Sequence, residues 1–261
     1  MGKNRREAAK VNWMITDNYY LITSLPSLEE LGSTPPISMS QMLERSADNP
    51  EGKALLEVIF LSDDLLQRQA FLSQEIVELA PVVLTPEQVR DEQPLPDYLS
   101  PAESQIAPRI AEDAVWWAYF RYAFDMATQK RSSFLTSWAA QEIGLKNALV
   151  IARAKALNLD PTDYLVAAEQ GQVDEGFEAV INEWSAAATP LAGLRVLDKN
   201  RWFWLIEHDS WFSFANDELA AYAAKLMLLQ RWSRMASSKM SNGSAMTSTQ
   251  KPTETSERII Q

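Results

Sequence analysis

Along most of the chain apolar side chains return every three or four positions, the repeat of one face of an α-helix. Ile110 to Met126 has apolar residues spaced for a helix, including Ala114, Trp117, Tyr119, Phe120 and Phe124. Phe134 to Leu157 follows with Leu135, Trp138, Ala139, Ile143, Leu149 and Ala156. A third segment, opened by Asp174, carries Phe177, Val180, Ile181 and Trp184. Pro190 to Ile206 then carries Leu191, Leu194, Leu197, Trp202 and Leu205. The last segment starts at Asn216-Asp217-Glu218 and continues through Leu219, Tyr222, Ala223, Leu226, Leu229 and Trp232. Its acidic first turn suits the positive end of a helix dipole. No stretch alternates convincingly with period two. Tyr19-Tyr20-Leu21-Ile22-Thr23 is rich in strand formers and reads as either helix or short strand. The pattern predicts an all-α protein of roughly eight to ten helices.

Capping signals reinforce this reading. Ser38 with Gln41, and Thr85 with Gln88, form capping boxes ahead of Met39, Met42 and Leu43 and of Pro86. Asp160-Pro161 and Thr189-Pro190 place a capping side chain just before a proline at the first helical position, and Ser132-Ser133 precedes Phe134 as an N-cap pair. The ends of the chain have a different texture. Residues 1–13 are polar and predicted to be a disordered extension, with Met14 as an alternative start, and 236–261 read as a disordered tail rich in Ser, Thr, Asn and Gln. Between them the proline-rich stretch at 94–108 separates an N-terminal helical part, 14–100, from a C-terminal one, 101–235.

Composition narrows the chemistry. The 261 residues include no cysteine and one histidine, which excludes thiolate zinc sites, iron–sulfur clusters, cysteine nucleophiles and multi-histidine metal sites. Only 8 residues are glycine, and neither a Walker A motif nor a dinucleotide fingerprint is present. Net charge is −11, but residues 1–13 carry +3 and 233–261 carry +2, so the body holds −16. Such a body repels nucleic acid and anionic lipid and favours basic partner surfaces. No apolar run approaches the ~20 residues of a membrane span, and the basic start lacks the apolar segment of a signal peptide. These features lead us to expect a cytosolic protein.

Candidate chemistry is sparse. Glu207-His208-Asp209 could form an acid–base cluster; it also fits a helix C-terminus, where a partly positive imidazole suits the dipole. Nine tryptophans include Trp116-Trp117, Trp202-Phe203-Trp204 and Trp211-Phe212. Neighbours on a helix point about 100° apart, so one member of each set packs inside while the other covers a neighbouring helix or anchors a partner. Arg121, Lys146 and Arg153 interrupt apolar helices and are expected to snorkel or pair, Lys146 with Glu142 one turn earlier.

Asn18-Tyr19-Tyr20-Leu21-Ile22-Thr23-Ser24-Leu25-Pro26, then Pro36-Ile37-Ser38, resembles the opening of bacterial domain-of-unknown-function family 2764. Members of that family are encoded within V/A-type ATPase operons, where the gene for the funnel-shaped socket of the central stalk is expected. Trp138, Glu142, Leu145-Lys146-Asn147-Ala148 and Arg153-Ala154-Lys155 are similar to a helix repeated in that socket protein, and Leu61-Ser62-Asp63-Asp64-Leu65-Leu66 is a fainter copy. Asp217-Glu218-Leu219, Tyr222 and Lys225-Leu226 resemble the final helix of the family. The resemblance covers most of 17–232, in a chain shorter than typical socket proteins of the stalk.

What it implies is a funnel-like helical rotor part without catalytic, cofactor-binding or metal-binding residues. Such a part seats the central shaft on the membrane ring and lies peripherally at the inner face of the cell membrane. It couples ATP turnover to ion transport and contacts neither nucleic acid nor the lipid interior. The alternatives are a soluble helical adaptor or assembly factor for the same complex, and an enzyme built on Glu207, His208 and Asp209.

Overall fold

The computed structural model describes residues 18–100, 111–166, 175–210 and 212–247. Within them the protein is all-helical, without a β-strand. Nine α-helices are described: α1 (18–24), α2 (Met39–Arg45), α3 (Pro50–Leu72), α4 (Pro86–Val89), α5 (Ala111–Lys130), α6 (Ser133–Leu157), α7 (Glu178–Ser185), α8 (Pro190–Glu207) and α9 (Asn216–Thr247). Short 3-10 turns lie at Asp97–Leu99, Pro161–Tyr164 and Glu175–Phe177.

The local signals act where the pattern puts them. Ser38 and Thr85 close full capping boxes with Gln41 and Gln88. Asn49, Ser132 and Thr189 cap α3, α6 and α8 through their side chains, and Asp160 caps the turn at Pro161. Asn158 ends α6 with φ 55°, a left-handed conformation that asparagine tolerates well. The cap expected at Asp174 lies outside the described residues.

The segment whose pattern allowed either helix or short strand is helical over 18–24, with the Thr23 and Ser24 hydroxyls donating back to the Tyr19 and Leu21 carbonyls. Leu21 and Ile22 pack on the core from this helix, so tertiary burial overrides the strand propensity of the segment. At the other end α9 runs to Thr247, beyond the boundary that composition set at Ala236. Extending a helix that is already nucleated adds one hydrogen bond per residue fixed, so polar sequence can continue it.

α3 and α9 form the centre. They run parallel, with Gly52 beside Asn216, the Ser62 hydroxyl on Met227 and Asp63 beside Arg234. From Val58 to Leu65 every residue of α3 is buried, and from Leu219 to Leu229 every residue of α9 except Tyr222. Both are therefore enclosed on all sides instead of burying one stripe, and Ala220, Ala221, Ala223 and Ala224 keep the enclosing helices close. α5 and α6 form a hairpin against this pair, where the Tyr119 hydroxyl donates to the Val58 carbonyl. The main core draws on residues from both sides of the proline-rich boundary, from Ile37 to Leu99 and from Trp116 to Leu229. A smaller cluster of Leu145, Phe177 and Leu197 lies under α7. There Gly193 admits Trp184, whose indole would stand 3.0 Å from an added Cβ.

Candidate functional site

The three members of Glu207-His208-Asp209 do not converge. His208 is the C-cap of α8, stacked on Trp204 at 4.0 Å with Nδ1 2.9 Å from the Trp204 carbonyl. Glu207 and His208 are exposed, whereas Asp209 turns to the Lys225 ammonium, in a pair whose side chains are largely buried. His208 thus occupies the helix-terminal position that the dipole favours.

The tryptophans and the interrupting cations explain one another. Lys146 Nζ lies 3.9 Å over the Trp116 ring, Arg121 lies 5.1 Å over Trp117, and Arg153 lies 5.4 Å over Trp184. Arg195 covers Trp232 in the same way at 5.3 Å. Burial pulls the Lys146 ammonium down to about 8. The expected partner of Lys146, Glu142, instead accepts two bonds from Arg201 Nε at 2.9 and 3.0 Å. Helical spacing allowed the first pairing, but α8 brings a better donor to that carboxylate. In the other aromatic clusters Trp202 is buried and Phe203 exposed, and Trp211 lies outside the described residues.

A continuous charged network links α3, α6, α8 and α9. Asp198 accepts from Arg201 Nη1 at 2.9 Å, Trp232 Nε1 at 3.0 Å and Arg231 Nη1 at 3.4 Å. Arg231 Nε also lies 3.5 Å from Asp63, which takes bonds from Arg234 and from Gln67 Nε2. Asp63 and Asp198 are completely enclosed. Burial pulls the Arg201 guanidinium down, but Glu142 and Asp198 together outweigh it and hold it above its ordinary value. Three carboxylates and three guanidinium groups balance, as buried charge requires. The sequence signal was the placing of Asp63 inside an apolar run, where a charge needs a partner; Asp198, followed by Lys199-Asn200-Arg201, carried no such signal.

Two further buried side chains fasten loops to the long helices. Asp64 accepts from the Val82, Val83 and Leu84 amides at 2.9, 2.7 and 2.8 Å. Burial pushes its carboxyl up to about 6, against the pull of those amides. Asn147 on α6 exchanges two bonds with the Val166 backbone, 19 residues on, the same separation as between Asp64 and Val83. The Leu61–Leu66 and Trp138–Lys155 segments thus use a polar side chain in the same way.

One end of the molecule carries exposed aromatics. The N-termini of α3, α6 and α9 meet there, joined by Asn18, Asn49 and Asn216 at 2.6–3.0 Å and by Asp217, which accepts from Ser132, Ser133 and the Phe134 amide. Beside them Tyr19 packs on Phe214 at 4.9 Å, while Tyr20 is 68% and Phe212 78% exposed. Phe212 and Phe214 both adopt left-handed φ, 61° and 52°, a strained state for a bulky residue. Glu218 holds them by accepting from both amides and from the Ser213 hydroxyl. This edge assembles residues nearly two hundred positions apart, and the sequence signalled only its separate halves.

Among the described residues no helix is long and apolar enough to cross a membrane, and no group of three His, Asp or Glu side chains is placed to hold a metal ion. No family model, curated protein or solved structure matches the chain significantly.

Proposed function

We propose that this protein is a non-catalytic central-stalk component of a bacterial V/A-type ATPase, coupling the rotating shaft to the membrane ring from the cytoplasmic side. The resemblance of the Asn18–Pro26, Trp138–Lys155 and Asp217–Leu226 segments is the starting point. The observation that carries the reading is the way α9 is built in. A torque-bearing part must not shear between its helices. Here the central helix is tied to α3 and α8 by buried ion pairs, with Arg201 extending the same network to Glu142 on α6. Removing one partner from a buried pair is costly, so sliding that parted these pairs would be opposed. The aromatic edge at Tyr20 and Phe212 offers the exposed anchors that protein interfaces use.

The test is deletion of the gene, with complementation, followed by parallel assays of ATP hydrolysis and ion pumping. Hydrolysis should continue and pumping should be lost. Pumping that persists unchanged would overturn the rotor reading and favour an adaptor or assembly factor.

A further inference from the structure

Between α3 and α5 the surface opens into a recess of about 160 Å³. Its apolar wall is made by Leu65 and Leu72 from α3 and Val115 and Trp116 from α5, and its polar side by Arg68, Gln69 and Asp91. Trp116 is braced by the Lys146 ammonium over its ring. Arg68 also lines this recess, and it is poorly satisfied. Its Nη2 donates to Asp91, but Nε is buried with no hydrogen-bond partner. Nε and Nη2 form the edge of a guanidinium that grips a carboxylate with two parallel bonds. Asp91 fills only half of that fork. It does so from the loop after α4, with its side chain 63% exposed and its backbone in the left-handed region at φ 64°.

We propose that this recess is a binding site for a small monocarboxylate with a compact apolar body, such as a single ring or a short branched chain. The carboxylate takes both Nε and Nη2 of Arg68 and displaces Asp91, and the apolar body fills the space against Leu65, Leu72 and Trp116. Size sets the scale of the part that is covered: an enclosed apolar cavity of about 150 Å³ holds one benzene molecule, and this open recess of about 160 Å³ covers a body of that order. Charge sets the class, because a buried guanidinium N–H gains most from an anionic acceptor. Asp91 neutralises Arg68 in the empty state and competes with the ligand, so affinity depends on both residues in opposite directions. Binding of this kind is independent of any rotor role.

The experiment follows the tryptophan indole resonances of the full chain by two-dimensional NMR during titration with phenylacetate. 2-Phenylethanol serves as the same ring without charge, and acetate as the charge without a body. Phenylacetate should shift the Trp116 indole, assigned with W116F, and saturate in the millimolar range. Both controls should bind at least about tenfold more weakly, as should the R68Q variant, the loss expected for a charged hydrogen bond. D91N keeps a residue that tolerates the left-handed backbone and removes the competing charge, so it should bind more tightly than the wild type. Equal binding of phenylacetate and phenylethanol, absence of saturation, or weaker binding by D91N would each overturn the proposal. The phenylethanol and D91N comparisons decide it even if R68Q fails to fold.

Discussion

Replacing Asp64 by Asn should destabilise the protein, and the cost should shrink as pH rises. In the native state Asp64 Oδ2 accepts from the Val83 and Leu84 amides, and the Val82 amide is shared between Oδ1 at 2.9 Å and Oδ2 at 3.1 Å. An asparagine can place its oxygen on Val83 and Leu84, but its NH2 group must then face the Val82 amide. The Val82 amide keeps only its longer contact, 3.1 Å, to that oxygen, while the NH2 group faces a donor where Asp64 presents an acceptor. At about 1–3 kcal/mol for an unsatisfied buried group, the cost is about 1–3 kcal/mol near pH 4, where the Asp64 carboxyl is protonated and as uncharged as the asparagine. The pH dependence has a definite sign. Burial raises the folded-state value of the Asp64 carboxyl to about 6, above the ordinary 3.8. The folded state therefore binds more protons than the unfolded chain between those values. The contribution of Asp64 to stability is fully present below about pH 4 and lost as pH rises through 6, by about 3 kcal/mol. D64N lacks this titration, so the gap between the two proteins should narrow by that amount. Urea unfolding followed by tryptophan fluorescence, at a series of pH values between about 4 and 7, measures it directly. A gap that stays constant or widens over this range would show that amide hydrogen bonds, not burial, govern Asp64.

Replacing Asp198 by Ala leaves Arg201, Arg231 and the Trp232 indole without their shared acceptor, and should lower unfolding free energy by about 3–5 kcal/mol in urea titrations. His208→Gln, by contrast, removes an exposed ring stacked on Trp204 and its Nδ1 contact with the Trp204 carbonyl, so stability should change by less than about 1 kcal/mol and, under the proposed rotor role, coupling should be retained. A loss beyond about tenfold in a folded, assembled variant would restore an acid–base role for His208.

Much of the secondary structure was legible because its signals are local. Ser38 with Gln41, and Thr85 with Gln88, complete their hydrogen bonds within four residues. The helical return of Leu135, Trp138 and Ile143 needs only one side of α6 to meet a core. Those spacings determined an all-helical protein and most of its helix starts. Tertiary structure decided the rest, for reasons that no local spacing encodes. Glu142 lies one turn from Lys146, yet pairs with Arg201, 59 positions away, because the strength of an ion pair depends on distance in space and on burial. Asp63 and Asp64 are neighbours in sequence, but a helix turns them about 100° apart, one toward Arg234 and the other toward the Val82–Leu84 amides. The exposed aromatic edge, likewise, exists only because α1 and the segment before α9 meet at one end of the bundle. Sequence thus set which residues could form helices and carry charge; the fold set which of them meet, since only chain closure over long separations brings those partners within bonding range.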